Sequence, residues 1–261
     1  MIESMLINVG RKVLAFLQFL GGLATLVWQS FYWLFVPPLK TRRVLEQAKR
    51  AGYDSLPIVS LIGLFIGMIF AFQTAYLMQR LGSEIYIASI VALSLVRELG
   101  PVITSLVVAG RVGAAITAEI GSMQVTEQID ALEAMGSNPV KYLVVPRLLA
   151  LSLMLPILTL YADIIGIFGG WLICVYKLGI PSRLYMSVAF EALKFKDIFT
   201  GLSKTVFFGM IIAFVSCFEG FNVEGGAEGV GRATTRSVVW SFILIIAADC
   251  FFTALFYFIF P

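Results

Sequence analysis

Histidine is absent from this 261-residue sequence. With it go His-based catalytic triads, imidazole metal ligands and switches that titrate near neutral pH. Cysteine is scarce, and Cys174, Cys217 and Cys250 stand alone inside apolar runs without a C-x-x-C pair. Neither a zinc site nor a disulfide framework is expected; the three read as small membrane-buried hydrophobes. No G-x-x-x-x-G-K-[ST] run occurs, so the chain has no phosphate loop with which to hydrolyse ATP by itself. Charge is thin as well: Asp, Glu, Lys and Arg make up 13% of the residues, where soluble domains carry about 25%. The net charge of +3 is too small an excess to indicate a nucleic-acid partner. The N-terminus shows neither a short apolar core followed by a small-residue cleavage site nor an Arg/Ser-rich transit pattern. The first apolar segment is therefore expected to remain in the mature protein.

What is there is hydrocarbon. Hydrophobic residues form 59% of the chain, with 22 Phe, and the mean hydropathy is +0.93. A chain this poor in ionised groups cannot cover a globular surface in water, so it is an integral membrane protein, all α-helical. A spanning helix needs about 20 mostly apolar residues, and such runs occupy 56–79, 86–118, 143–176, 199–221 and 238–260. The second and third are long enough for tilt, a break or an extension beyond the bilayer, and Pro101 and Pro156 interrupt them. Gly63 and Gly67 form a G-x-x-x-G pair, as do Gly166 and Gly170, a spacing that lets helices approach closely.

Residues 11–36 are apolar enough to suggest a sixth span. However, Asn8, Arg11, Ala15, Gln18, Gly22, Thr25 and Gln29 fall at steps of three or four, making one small-or-polar stripe opposite Phe16, Leu17, Phe19, Leu20, Leu23, Leu26 and Val27. That pattern favours a helix lying in the interface plane. Trp28, Tyr32 and Trp33 suit the headgroup level, and Pro37-Pro38 stops the helix. Basic residues orient the chain. With the segment before the first span cytoplasmic, twelve of the 19 basic residues lie on that side and five (Arg80, Lys177, Arg183, Lys194, Lys196) on the other. The N-terminus is thus expected inside and, after five spans, the C-terminus outside.

Two places are candidates for function. Residues 119–140, EIGSMQVTEQIDALEAMGSNPV, form the most polar stretch between spans. Thr126 can cap a short helix with acidic first turns, and Gly136 with the following Ser-Asn-Pro ends it. Ile129, Leu132 and Met135 share one stripe, with Glu127, Asp130 and Glu133 off it. Such a helix either rests on the membrane or docks a cytoplasmic partner. Within the spans lie Arg97, Glu98, Lys204 and Asp249, and intramembrane charges are functional candidates by default. Either they neutralise one another to fix helix packing, or they line a polar cavity facing a charged ligand. Lys204, with no acidic neighbour in sequence, is the one expected to be freer to meet a phosphate.

The run VALSLVRELGPVITSLVVAGRVGAAITAEIGSMQVTEQIDALEAMGSNPVKYLVVPR at 91–147 resembles the signature region of the MlaE family, and GRATTRSVV at 231–239 resembles that family's last cytoplasmic loop. The family comprises permease subunits of ABC transporters that move phospholipid between membranes. The resemblance implies a homodimer in the bacterial inner membrane, each subunit one membrane domain. That domain has an N-terminal in-plane elbow helix and basic linker over 1–50, a bundle over 51–261, and a coupling helix at 126–136 between spans two and three. It also implies that Glu127, Gln128, Ile129, Asp130, Leu132, Glu133 and Met135 meet a separate ATPase, which alone binds ATP and Mg. A ring of MCE-domain subunits would cap the outer side, and a STAS-domain protein often joins the ATPase. Between the two permease subunits the family holds lipid in an outward-open cavity. The expected lipid contacts are Arg97, Glu98, Lys204 and Asp249 for the polar part. Phe70, Thr74, Leu77, Met78 and Leu81, on one face of the first span, are expected to form the apolar part. A secondary transporter or channel using the intramembrane charges as an ion path is the alternative. A membrane-embedded lipid-modifying enzyme is a third, weakened by the missing His and the lack of a clustered nucleophile and base.

Overall fold

The computed structural model describes residues 2–37 and 41–259, and among them there is no strand. Among the described residues five helical segments are long and apolar enough to cross a membrane: Thr41–Arg80, Glu84–Val125, Val140–Tyr176, Phe195–Phe221 and Gly226–Phe258. The five runs of the sequence are therefore the five spans, with polar ends longer than hydropathy alone marks. Residue 260, the expected end of the fifth, lies outside the described residues.

A long α1 (Ile2–Leu34) precedes the spans and is not among them. It packs on the bundle through Leu26 and Ser30, which are buried, with Leu23 and Val27 beside them. The expected stripe is corrected here. Gly22 faces inward against the Phe218 ring, and Phe19 stacks on Trp240 at 4.8 Å between centroids. Leu17, Leu20 and Trp28 share the exposed surface with Gln18, Thr25 and Gln29. The bundle selected the face holding the glycine because ring-to-backbone contact needs a missing side chain. The side chains of Asn8, Arg11, Ala15 and Phe16 lie outside the described residues.

The first span joins α2 (Thr41–Ala51) to α3 (Leu56–Arg80), with Pro57 in the first turn where its absent N–H costs nothing. The second begins at α4 (Ile87–Ser94), passes a π turn at Leu95–Leu99, continues as α5 (Gly100–Val108), passes another at Ala109–Gly113, and ends in α6 (Ala114–Val125). Pro101 does not break it: the wide turn before it accommodates a residue lacking N–H. The short α7 (Gln128–Ala134) follows, and a third π turn, Val140–Val144, leads into α8 (Val145–Tyr176), which also runs through Pro156 without ending. Then come α9 (Ser182–Ala192), α10 (Phe195–Phe221) and α11 (Gly226–Ile259).

Helices α8 and α10 hold the middle of the bundle, and α3 and α11 flank them with mostly open outer faces. The two G-x-x-x-G pairs pack on each other. A Cβ on Gly67 would run into the Gly166 carbonyl, and one on Gly63 would stand 3.1 Å from the Ala162 carbonyl oxygen. Backbone-to-backbone approach of this kind is what holds helices together where lipid removes the hydrophobic drive. Next to it α9 inserts Tyr185, fully enclosed, whose hydroxyl donates to the Ile167 carbonyl at 3.3 Å. Burial pushes this phenol up from its ordinary range, so it remains a neutral donor. The hydroxyl fits because residue 170 is glycine; a Cβ there would lie 2.7 Å away.

Candidate functional site

Inside the spans, the arrangement starts from a missing hydrogen. Pro101 cannot offer an N–H to the Arg97 carbonyl four residues back, and the Lys204 ammonium from α10 reaches that carbonyl at 3.4 Å. Gly201, one turn earlier on α10, makes the reach possible, since a side chain there would collide with the Val96 carbonyl. Lys204 also donates to Glu98 Oε2 at 2.7 Å, to Asp249 Oδ1 at 3.0 Å and to Thr253 Oγ1 at 2.7 Å. The Thr253 hydroxyl in turn donates to the Glu98 carboxylate at 3.2 Å. Lys204 and Asp249 each lie about 14 Å along their helices from the span end, at about 1.5 Å per residue, roughly half of a hydrocarbon core of about 30 Å.

Three of the four predicted polar residues, Glu98, Lys204 and Asp249, are thus one cluster. The fourth, Arg97, turns away, because consecutive helical residues point about 100° apart. Its side chain is 53% exposed, and its Nε stands 3.7 Å from Asp197 Oδ1. Asp197 is held in the first turn of α10, where its Oδ2 accepts the Lys194 N–H at 3.0 Å. The expectation that Lys204 is the freer cation is therefore corrected. Lys204 is 2% exposed and uses its three donors on this chain, while Arg97 retains open donors. Glu98 remains 40% exposed. An ionised group facing lipid tails at this depth costs about 2.5–3.5 kcal/mol, so the open side of the cluster faces water or a polar ligand.

The apolar group on α3 divides. Phe70 and Met78 pack against the enclosed cluster around Ala71, Val91 and Tyr185, and Thr74 is buried. Leu77 and Leu81 alone of the five are exposed. Helix α3 is apolar all round, so its spacing could not choose a face; Gly67, Ala71 and Ala75 mark the packed one.

The polar loop also differs from expectation. Thr126 does not cap α7; it ends α6, its hydroxyl donating back to the Ser122 carbonyl at 2.8 Å. Glu127 takes the left-handed conformation at φ 58°, and the helix is limited to Gln128–Ala134. Gly136, at φ 73°, closes it as expected, with Ser137 N–H donating to Leu132 O at 3.0 Å. Ile129 is buried and Leu132, partly buried, packs on the bundle core, so this stripe is turned mainly inward. Glu127, Gln128, Asp130, Glu133 and Met135 are exposed.

Several functional-grade residues were missed. Thr253 falls one turn after Asp249 on α11, a spacing that places both on one face. Asp163 is 4% exposed in the middle of α8, its Oδ1 without a hydrogen-bond partner, its carboxyl set in the space left by Gly100. An acid within YADIIG carries the same signal as the four residues singled out. At the opposite end of the bundle Glu119 receives Arg147 at 3.0 Å and Arg50 at 3.5 Å. Cys174 and Cys217 are buried as expected, but Cys250 lies on the outer surface of α11.

Against known proteins, residues 44–255 match the family described as Permease MlaE. A protein of Rickettsia felis named "Probable ABC transporter permease protein" is 43% identical over 250 residues, 96% of each chain. A similarly named protein of Synechocystis is 40% identical over 226 residues, 87% of this chain and 86% of that one. The Haemophilus influenzae "Intermembrane phospholipid transport system permease protein MlaE" is 34% identical over 258 residues, 98% of each.

Proposed function

The chain belongs to the MlaE permease family and is a multi-pass transporter permease subunit, and from that premise we propose that it moves phospholipid between the inner and outer bacterial membranes as the inner-membrane subunit of an ABC transporter. The observation that carries this is the half-exposed Arg97, whose carbonyl joins the mid-span cluster while its guanidinium turns out toward Asp197 in the first turn of α10. A guanidinium is suited to a phosphate oxygen pair. Leu77 and Leu81, exposed on α3, are the residues left for acyl chains. The name of the Haemophilus influenzae relative supports phospholipid as the cargo.

In this reading the single membrane domain works as a homodimer. The exposed acidic rim of α7 meets a separate ATPase that binds ATP and Mg; MCE-domain subunits cap the other side, and a STAS-domain protein joins the ATPase. Closure of the ATPase would shift α7 and, through buried Ile129 and partly buried Leu132, the spans around it, a two-state element biased by nucleotide. The excess of basic residues at the α2 and α7 end supports a cytoplasmic N-terminus and a periplasmic C-terminus, with α1 lying in the interface plane.

The test is lipid transfer by the reconstituted complex, read with a fluorescent phospholipid. Transfer that requires ATP and is unaffected by collapsing ion gradients is expected. Transfer driven by an ion gradient without ATP would establish the secondary-transporter reading instead.

A further inference from the structure

We propose that the chain carries, apart from the mid-span cluster, a binding site for the phosphate of an anionic lipid headgroup in a recess at the α2 and α7 end of the bundle. The recess encloses about 300 Å³, at the lower end of the range for ligand cavities. Its walls come from four segments: Trp33 at the end of α1, Arg43 in the first turn of α2, Ser137 and Asn138 after α7, and Lys141 and Tyr142 at the start of the third span.

Among the described residues its two cations have no anionic partner. The Arg43 guanidinium lies over the Tyr142 ring, 3.2 Å from its centroid, and its Nη1 is enclosed by protein yet has no hydrogen-bond partner. A buried charged donor without an acceptor calls for a ligand or ion. Lys141 Nζ donates once, to the Pro37 carbonyl at 3.2 Å, and stands 5.3 Å from the Trp33 ring centroid. Among the described residues neither cation meets a carboxylate, whereas Arg42 pairs with Glu46, and Arg50 and Arg147 with Glu119. Arg43 and Lys141 both line one recess, and among the described residues no carboxylate is supplied to either.

The surroundings select the source of that anion. Trp33 and Tyr142 are residues of the interfacial belt, and Val44, Val145 and Pro146 make the span-side wall apolar. A phosphate held here has glycerol and acyl chains leaving along hydrocarbon, the geometry of a headgroup rather than a soluble ion. Basic pockets between spans suit such headgroups. That this end is the cytoplasmic face rests on the orientation proposed above; occupancy of the recess does not.

The experiment is thermal unfolding of the full chain in dodecyl maltoside micelles doped with phosphatidylglycerol, with phosphatidylcholine, or with inorganic phosphate alone. Phosphatidylglycerol is expected to raise the midpoint by about 4 °C over phosphatidylcholine at near-saturating lipid. Arg43→Gln with Lys141→Gln should abolish that difference. Arg42→Gln with Lys49→Gln, which removes the same amount of charge from α2, should keep it, and Arg43→Lys should keep part of it, so a fold defect in the double variant does not decide the outcome. Equal shifts for both lipids, or an undiminished phosphatidylglycerol shift in both Gln pairs, would overturn the site. A full shift with inorganic phosphate, to which lipid adds nothing, would overturn the headgroup as its source.

Discussion

The end of α10 and its middle treat charge differently. Near its end at Phe221, Glu219 is buried but its partner Arg236, 3.1 Å away, remains 58% exposed, as Arg50 does beside Glu119. Water shares the solvation of those exposed guanidinium groups, so the chain need not supply their whole coordination. In the other half of the same helix Lys204 is enclosed on every side, and four oxygens, two from the π turn at Leu95–Leu99 and two from α11, replace its hydration shell. A cation at this depth cannot remain half-solvated, so the sequence must supply its whole coordination. Lys204 therefore fastens α10 to the second and fifth spans and fixes Glu98, and the cation available to a ligand is its neighbour's neighbour, Arg97.

The comparison breaks most visibly if Lys204 is removed. Lys204→Ala leaves Glu98 and Asp249 facing each other at mid-span, and breaking one partner out of a buried pair costs about 3–5 kcal/mol. Loss of most of the folded yield, or a large drop in unfolding midpoint in detergent, is expected. Neutralising all three groups together (Lys204→Met, Glu98→Gln, Asp249→Asn) should recover most of it. A Lys204→Ala chain that unfolds at the original temperature would mean that the cluster carries no packing role.

Gly201→Ala is next. The added methyl meets the Val96 carbonyl and stands 3.5 Å from Pro101 Cγ, which prises α10 off the π turn. Overpacking of this kind costs about 1–3 kcal/mol, and the thermal midpoint should fall accordingly. Gly21→Ala, with open space around it, should leave the midpoint in place.

The smallest effect on stability sharpens the contrast. Arg97→Gln removes a half-exposed ion pair worth about 0–1 kcal/mol, so the unfolding midpoint should scarcely change while ATP-driven lipid transfer falls several-fold. If instead stability drops and transfer per folded complex is unchanged, Arg97 is the structural cation and the assignment of the two residues reverses.

Composition and local windows were enough for the membrane class, the five spans, the glycine stop at 136 and the close-packing glycines, because burial in hydrocarbon and backbone caps depend on residues within a turn or a span of each other. The sequence also marked Arg97, Glu98, Lys204 and Asp249 as out of place. It could not assign their partners, since the contacts that saturate Lys204 lie 106 and 45 residues away in the chain. Nor could it choose the packed face of α3, where every face is apolar, or show that Ile129 and Leu132 turn inward. Those outcomes belong to the tertiary structure, because a buried charge or an all-apolar helix acquires a direction only when its neighbours take their places.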